Sequence, residues 1–371
     1  MIYARRGVLG AAAIAAALAI VAWVSPAPDR VTDRDVYEAT AARMIVPDCT
    51  DLHCFRVLVP WVLGRLPGSS DLRWKAYAVV CNTAAAIGVA ALCPLFGLGR
   101  RGSALSAVLS AFGFGSLYTL HDAYTSDPLM FALGPVITLA LLTDRVAAAT
   151  IAGTIGVLAK EFAAAPLYLV AGWHALGRRF VPALRALAGG NLAFIVWVAF
   201  TLTLMLKFNY AWGGTDSANI ATGAGIGPWL QRQSLRGVAA AMFNEFGALY
   251  VLAPVGLWIG SRELRRLALV AVPIAAVFAY VQQPDRALWN FHFLVVPLAA
   301  LVLERVPAAL AWATAGLFAV GNLRVGAQLP IGEISRIAIV LSVALALVGA
   351  AMALRRPAAD RPALTPTGAL A

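Results

Sequence analysis

The sequence predicts an all-α integral membrane protein that crosses the bilayer about a dozen times, and three observations lead to this fold class. Of the 371 residues, 61% are hydrophobic and only 13% are charged, whereas a soluble domain is typically about a quarter charged. The mean hydropathy is +0.79. The apolar runs follow one another with only short breaks, which favours one membrane-embedded unit over several soluble domains.

Apolar segments that approach the length of a membrane span recur along the whole chain. A helix needs about 20 such residues to cross the hydrocarbon core. Two short neighbouring segments, 146–159 and 162–177, can also be interpreted as a re-entrant pair that meets near mid-depth, so the expected number of spans is 10 to 12. The candidate spans are 7–24, 76–98, 103–120, 128–143, 146–159, 162–177, 186–206, 238–260, 267–281, 287–303, 306–321 and 337–354.

Arginine clusters predict the orientation of the chain. Arg5 and Arg6 precede the first span, and later clusters around 100–101, 178–179 and 355–356 fall on the same side, which the positive-inside rule assigns to the cytoplasm. Both termini are then cytoplasmic. The formal charge of +11 does not predict a nucleic-acid partner, because the basic residues form small clusters between apolar runs. The cytoplasmic side receives only four of the 18 acidic residues, Asp144, Glu263, Glu304 and Asp360. Because most acidic residues then lie on the opposite side, we expect any catalytic or binding site on the outer face.

The first outer loop, residues 25–75, is rich in carboxylates. Asp33 and Asp35 lie at the start of a short helix predicted from about 34 to 44, where a carboxylate can act as a general base or ligate a divalent ion such as Mg²⁺ or Mn²⁺. The alternative is a solvated acidic loop without a catalytic role. Farther along, the apolar stretch 55–63, with Arg56 and a tryptophan, is typical of a helix that lies in the membrane interface.

Two cysteines of this loop, Cys49 and Cys54, are separated by four residues on the side predicted to be oxidising. This position and spacing predict a local disulfide. A zinc site would need more ligands than the loop supplies.

The turn between the third and fourth spans is short and unusually polar. It contains His121, Asp122 and Asp127 within seven residues. Asp127 precedes Pro128 and can simply cap the next helix, whereas Asp122 has no such structural explanation. Both readings, cap and functional group, stay open at this stage.

Four further polar residues interrupt apolar segments. Lys160 and Glu161 lie side by side in an apolar stretch of about thirty residues, and ionisable groups at membrane depth are functional candidates by default. The two can also simply neutralise each other at the outer surface. Arg286 and His292 begin a predicted descending helix, where Arg286 can offer a planar fork to a phosphate and His292 can bind or only pack.

The sequence contains no Walker loop, Rossmann fingerprint or serine-nucleophile elbow, which argues against an ATP-driven pump or a hydrolase.

In their order along the chain, these segments resemble the GT-C superfamily of polytopic glycosyltransferases. The matching stretches are 33–37, which reads Asp-Arg-Asp-Val-Tyr, 55–60, which is similar to an Arg-x-Leu-x-Pro segment, 125–133 in the second outer turn, and 156–161, which reads Gly-Val-Leu-Ala-Lys-Glu. The resemblance covers about residues 1–205. The acidic motif differs from the adjacent Asp-Asp or Asp-Glu pair of better-known branches.

The resemblance implies a division of the chain into modules. Residues 1–206 would form a GT-C-like transmembrane module with a catalytic outer loop at 25–75, and 207–354 a variable transmembrane module. Residues 355–371 would be a disordered cytoplasmic tail. The Ala- and Arg-rich composition suggests a bacterial chain, so the expected location is the inner membrane, with the active side periplasmic.

The implied activity is transfer of a sugar, with inversion, from a polyprenyl-phosphate donor to an envelope glycan, lipid or protein acceptor. Asp35 would be the base, and Asp33, Asp122 or Asp127 would shape the site. The substrate-binding candidates are Lys160, Glu161, Arg286, Arg56, His121 and His292. The alternatives are a transporter or flippase of a lipid-linked saccharide, which would use the same buried charges along its substrate path, and a non-catalytic subunit of an envelope-assembly complex.

Overall fold

The computed structural model describes residues 2–25, 32–211, 228, 231, 234–281, 288–324 and 332–355. Within these ranges every regular element is a helix, which confirms the predicted all-helical class. Arg286 and the predicted tail from residue 356 onward lie outside the described residues.

Sixteen α-helices lie in the described part of the chain, in this order. The first eight are α1 (Ile2–Val24), α2 (Thr32–Arg43), α3 (Leu58–Leu63), α4 (Ser70–Leu92), α5 (Arg100–Ala111), α6 (Phe114–His121), α7 (Asp127–Leu142) and α8 (Val146–Gly156). The next eight are α9 (Ala165–Leu176), α10 (Phe180–Phe208), α11 (Leu235–Phe246), α12 (Ala248–Ile259), α13 (Arg262–Val281), α14 (His292–Glu304), α15 (Ala308–Asn322) and α16 (Gly332–Arg355). Short 3₁₀ turns occur at Leu52–Phe55, Cys93–Phe96 and Glu161–Ala164.

Four helical segments are long and apolar enough to cross a membrane. They coincide with four of the predicted spans and cover Ser70–Phe96, Arg100–His121, Phe180–Phe208 and Gly332–Arg355. The pair α11 and α12 makes a fifth if it is counted as one broken span. The other apolar helices among the described residues are shorter, so the total of about twelve spans stays a prediction.

Two predicted spans are broken by glycines. The segment 238–260 bends by 97° between α11 and α12, at Gly247, whose φ of +50° favours a residue without a side chain. The segment 103–120 is interrupted between α5 and α6 at Gly113, where a Cβ would lie only 1.8 Å from the ring of Trp289. The first break coincides with a backbone conformation that favours glycine, and the second with a close contact to a distant side chain.

The helices α8 and α9 are too short to cross a bilayer individually. They have 11 and 12 residues, which at a rise of about 1.5 Å per residue gives lengths of about 17 and 18 Å, against a hydrocarbon core of about 30 Å. Lys160 and Glu161 lie in the break between them. These lengths match half-spans, as the re-entrant interpretation requires.

The core is centred on α14, in which nearly every side chain is buried against α4, α5, α7, α12, α15 and α16. The peripheral helices α10 and α16 instead expose large apolar side chains, such as Ile195, Leu206 and Val340. Apolar surface of this extent is unfavourable in water and is typical of helices that face lipid.

A carboxylate at the end of α14 holds the start of α5. The Glu304 side chain accepts hydrogen bonds from the backbone N–H groups of Gly99 and Gly102 at 2.9–3.2 Å. A Cβ at Gly102 would lie 2.7 Å from a Glu304 oxygen, so the close approach depends on glycine. The carboxylate also lies at the positive end of the helix dipole, which favours its charge.

A helix does occur in the stretch that was predicted to lie in the interface, but it is shorter than expected. It begins at Leu58, after the 3₁₀ turn Leu52–Phe55, and its Val59 and Leu63 side chains are buried. It packs on α2 so closely that a Cβ at Gly64 would lie 2.3 Å from the carbonyl oxygen of Ala41. α2 and α3 therefore form a compact unit within the first outer loop.

Candidate functional site

The predicted acidic helix begins within two residues of its expected position, and its two aspartates face different directions. Asp35 is exposed, whereas Asp33 is only 21% exposed and faces the interior of the loop. Tyr37, one helical turn after Asp33, is completely buried and packs against Trp74. Residues four apart share a helix face, so Asp33 and Tyr37 define the inward side of α2.

The disulfide loop presents a histidine to this inward side. Cys49 and Cys54 are bonded, with their Cα atoms 6.5 Å apart. Within the loop, one Asp51 oxygen accepts hydrogen bonds from the backbone N–H and from Nδ1 of His53, at 2.8 and 2.7 Å. The other ring nitrogen, Nε2, lies 3.9 Å from a carboxylate oxygen of Asp33.

Burial alone would raise the pKa of Asp51, but the two hydrogen bonds from His53 outweigh it and lower the pKa below its usual value. No sequence pattern gave a reason to single out His53. Its two carboxylate neighbours become evident only when α2 folds against the loop.

A polar cluster joins the first outer loop to the second. The Tyr124 hydroxyl lies 2.7 Å from a carboxylate oxygen of Asp71 and 3.2 Å from one of Glu38. Arg34 pairs with Glu38 at 3.1 Å and lies over the Tyr124 ring. The second turn therefore contributes an anchor for α2.

Arg56 and Glu161 form a two-bond ion pair across 105 residues of sequence. The Arg56 Nη2 and Nε atoms donate to the two Glu161 oxygens at 2.9 and 3.3 Å. Burial alone would lower the pKa of Arg56, but the nearby carboxylate of Glu161 outweighs it and raises the pKa. The backbone N–H of Leu58 also donates to the carbonyl of Leu158, so the outer loop is docked directly on the break between α8 and α9.

Lys160 pairs with Asp127 at the start of α7, and both side chains are buried, with exposures of 6% and 5%. Lys160 is therefore not simply neutralised by Glu161, the alternative that the sequence left open, although its positive charge still acts on Glu161. The physical reason is local: Lys160 has an extended backbone, φ −159° and ψ 130°, and adjacent side chains of an extended segment point to opposite sides. Ser126 is the N-cap residue of α7 and makes no side-chain capping hydrogen bond, so the cap reading of Asp127, one of the two that the sequence left open, does not hold.

An apolar cavity of about 540 Å³ lies beside the Arg56–Glu161 pair. Its walls come from the disulfide-loop side, from the break after α8, and from α9, α10 and α13. Aromatic rings dominate the lining, and they belong to Phe55, Phe162, Tyr168, Phe194, Trp197 and Phe278. Since α10 is one of the helices with a largely exposed apolar face, the cavity lies next to the predicted lipid-facing surface.

The remaining candidates lie apart from this cavity. His292 is completely buried, stacks on Trp289 at 5.4 Å between ring centroids, and hydrogen-bonds through Nδ1 to the carbonyl of Trp289. Asp122 is buried and accepts from the Tyr118 hydroxyl at 3.4 Å, and His121 is half-buried. These positions fit packing roles for His292 and Asp122.

No group of three or more His, Cys, Asp or Glu side chains that could hold a metal ion occurs in the described part of the chain. Asp51 and His53 are hydrogen-bonded to each other. Among the described residues, Asp33 is the other carboxylate that forms an ion pair with His53. The divalent ion that the acidic motif suggested stays a prediction.

Comparison with known proteins adds no relative: no protein-family model matches the chain, and no curated protein matches it in sequence.

Proposed function

We propose that the chain transfers a glycosyl group, with inversion, from a polyprenyl-phosphate donor to an acceptor hydroxyl on the outer face of a bacterial inner membrane. The observation that carries the proposal is the apolar cavity, which has a buried arginine in its wall and lies next to the docked acidic loop. A lipid-phosphate substrate needs this combination of a hydrocarbon site and a cationic site.

The size and lining of the cavity suit a hydrocarbon chain. Its volume of about 540 Å³ falls in the range of about 300–1,000 Å³ that is usual for ligand sites. Because its wall is almost entirely aliphatic and aromatic, a polar ligand would lose its hydration there without replacement. The part of a polyprenyl chain nearest the phosphate is apolar, so it has no such hydration to lose.

Arg56 is the proposed phosphate ligand. Glu161 takes two of its five N–H donors, so donors remain for phosphate oxygens. A guanidinium that is fixed by a carboxylate is oriented before the substrate arrives, which reduces the entropy lost on binding. In this proposal the positive charge of Lys160 acts on Glu161, and Arg286, which lies outside the described residues, stays a candidate from the sequence for a second phosphate ligand.

The proposed base is a carboxylate from the first turn of α2. Asp35 is exposed and can be reached by an acceptor from the aqueous side, and Asp33 lies on the inward side near the disulfide loop. The buried Tyr37 interacts with both Arg56 and Asp33, so it links the inward carboxylate of α2 to the proposed phosphate ligand.

The role of the cavity as the donor site is tested by filling it with a larger side chain. Ile274, which lines it, is changed to Trp, and Ile195, an exposed residue that does not line it, receives the same change as a matched control. Binding of undecaprenyl phosphate is measured by native mass spectrometry in detergent. We expect Ile274→Trp to lose the bound lipid and Ile195→Trp to keep it; equal binding by both would refute the cavity as the donor site.

The charge in the wall is tested separately. The double variant Arg56→Gln/Glu161→Gln removes both charges and leaves neither stranded, and Arg65→Gln is the control at an exposed arginine. Loss of a charge-assisted hydrogen bond of about 1.5–3 kcal/mol predicts roughly 10- to 150-fold weaker binding of undecaprenyl phosphate. Unchanged affinity would exclude Arg56 as a phosphate ligand.

A transporter of a lipid-linked saccharide is the second candidate, because the buried Lys160–Asp127 pair is a feature of membrane substrate paths as well. The two functions differ in one observable. A transferase breaks the bond between sugar and phosphate, whereas a transporter moves the donor intact.

A further inference from the structure

His53 is held between two carboxylates of different origin. Its Nδ1 lies 2.7 Å from Asp51, its neighbour in the disulfide loop, and its Nε2 lies 3.9 Å from Asp33 on α2. The side chain is only 13% exposed, and its ring meets the buried Tyr37 ring edge-on at 5.5 Å. The imidazole is therefore fixed in position from three sides.

The contact with Asp51 fixes the tautomer. An ionised carboxylate can only accept a hydrogen bond, so Nδ1 must carry the proton, and the lone pair of neutral His53 is on Nε2. That nitrogen faces Asp33. The lowered pKa of Asp51 described above is consistent with this arrangement.

The disulfide loop also places His53 next to the cavity. Leu52 and Phe55, on either side of it in sequence, line the cavity, and the backbone N–H of Arg56 donates to the His53 carbonyl at 3.1 Å. The short loop between Cys49 and Cys54 thus ties the imidazole to the proposed phosphate ligand through three residues of 3₁₀ turn.

We propose that Asp33 is the base of the transfer reaction and that His53 is its positioning residue, which accepts the proton that Asp33 collects. This inference rests on the proposed function and selects between the two carboxylates of α2. Asp35, which is exposed, has an accessory role in guiding the acceptor.

In the proposed reaction, one bond to the anomeric carbon forms while another breaks. The acceptor oxygen forms a bond to the anomeric carbon of the sugar, and the bond from that carbon to the phosphate oxygen breaks. The bonding pair leaves with the polyprenyl phosphate. The hydroxyl proton passes to Asp33 and then to Nε2 of His53, which lies 3.9 Å from an Asp33 carboxylate oxygen. Release of that proton to water restores neutral His53.

The first test does not depend on substrate. The chain has four histidines, so selective ¹⁵N labelling of histidine gives a small set of ring signals, and His53→Gln identifies those of His53. We expect a protonated Nδ1 and an unprotonated Nε2, a change of tautomer balance in Asp51→Asn, and a changed Nε2 shift in Asp33→Asn. A protonated Nε2 with a bare Nδ1, or no response to Asp33→Asn, would overturn the inference.

The second test measures turnover with undecaprenyl-phosphate mannose, glucose, galactose and arabinose as donors and octyl glycosides as acceptors. His53→Gln should lower kcat by about 100-fold, as for loss of a proton-transfer partner, with KM for the donor unchanged. Asp33→Asn should abolish turnover, Asp35→Asn should mainly raise KM for the acceptor, and His174→Gln, a control histidine on α9, should behave as wild type.

The outcomes separate this inference from the proposed function. An active wild type with full kcat in His53→Gln refutes the role of His53 and leaves the transferase assignment standing. A wild type that binds undecaprenyl phosphate but cleaves none of these donors refutes both.

Discussion

The buried pair Lys160–Asp127 permits a quantitative prediction about how the site is held together. Both groups are at most 6% exposed, so solvent screening is small. At a contact distance of about 3 Å and an effective dielectric constant of about 20, Coulomb's law gives roughly 5 kcal/mol of attraction. Removing one partner of a buried pair leaves the other charge uncompensated, which typically costs about 3–5 kcal/mol. We therefore expect Lys160→Met to lower the free energy of unfolding by about that amount.

The assay is a double-mutant cycle in purified protein, with unfolding followed by SDS titration monitored by circular dichroism. Lys160→Met/Asp127→Asn should recover most of the lost stability, because the charge that would be stranded is removed. Lys160→Met/Glu161→Gln is the matched control, and it should be no more stable than Lys160→Met, because Glu161 pairs with Arg56. Recovery in the control and none in the Asp127 variant would refute the crossed pairing.

Three further predictions concern the scaffold. Glu304→Gln should lower the free energy of unfolding by about 1 kcal/mol, because it removes the charge at the N-terminus of α5, whereas Glu333→Gln at an exposed site should not; equal thermal shifts would contradict the capping role. Cys49 and Cys54 should be resistant to alkylation, and the intact mass should be two protons lower than that of the reduced chain; two alkylatable thiols would disprove the bond. Cysteine introduced at the exposed position Ala42 should react with a membrane-impermeant maleimide only from the outer side, and reaction only from the cytoplasm would reverse the topology.

The helical framework could be predicted from sequence because a membrane-facing helix is encoded directly in its composition. Runs near 20 apolar residues located the helical segments Ser70–Phe96, Phe180–Phe208 and Gly332–Arg355 to within about six residues at each end. The breaks were not predictable in the same way. Between α5 and α6, Gly113 lies against the ring of Trp289, 176 positions later, which occupies the space that a side chain at position 113 would need. A contact between residues so far apart in sequence cannot be predicted from a local sequence pattern.

Sequence patterns identified most of the charged residues that meet in the structure, but not their pairings. Lys160, Glu161, Arg56 and Asp127 were all recognised as candidates, since charges in apolar surroundings are conspicuous. Their partners depend on the extended backbone at Lys160 and on the docking of the outer loop against the break after α8, neither of which has a sequence signal. His53 was missed for the same reason: Asp33 is twenty residues away in sequence and becomes its neighbour only through packing.

The central claim is that the chain cleaves a polyprenyl-phosphate sugar, and reconstitution into liposomes tests it most directly. The wild type and the double variant Asp33→Asn/Asp35→Asn are supplied with the four undecaprenyl-phosphate sugars, and free undecaprenyl phosphate is measured with and without octyl glycoside acceptors. The account predicts that the wild type releases undecaprenyl phosphate only when an acceptor is present, and that the double variant binds the donor without cleaving it. Donor that crosses the bilayer intact, at the same rate in both proteins and with no free undecaprenyl phosphate, would contradict the account and assign the cavity to transport.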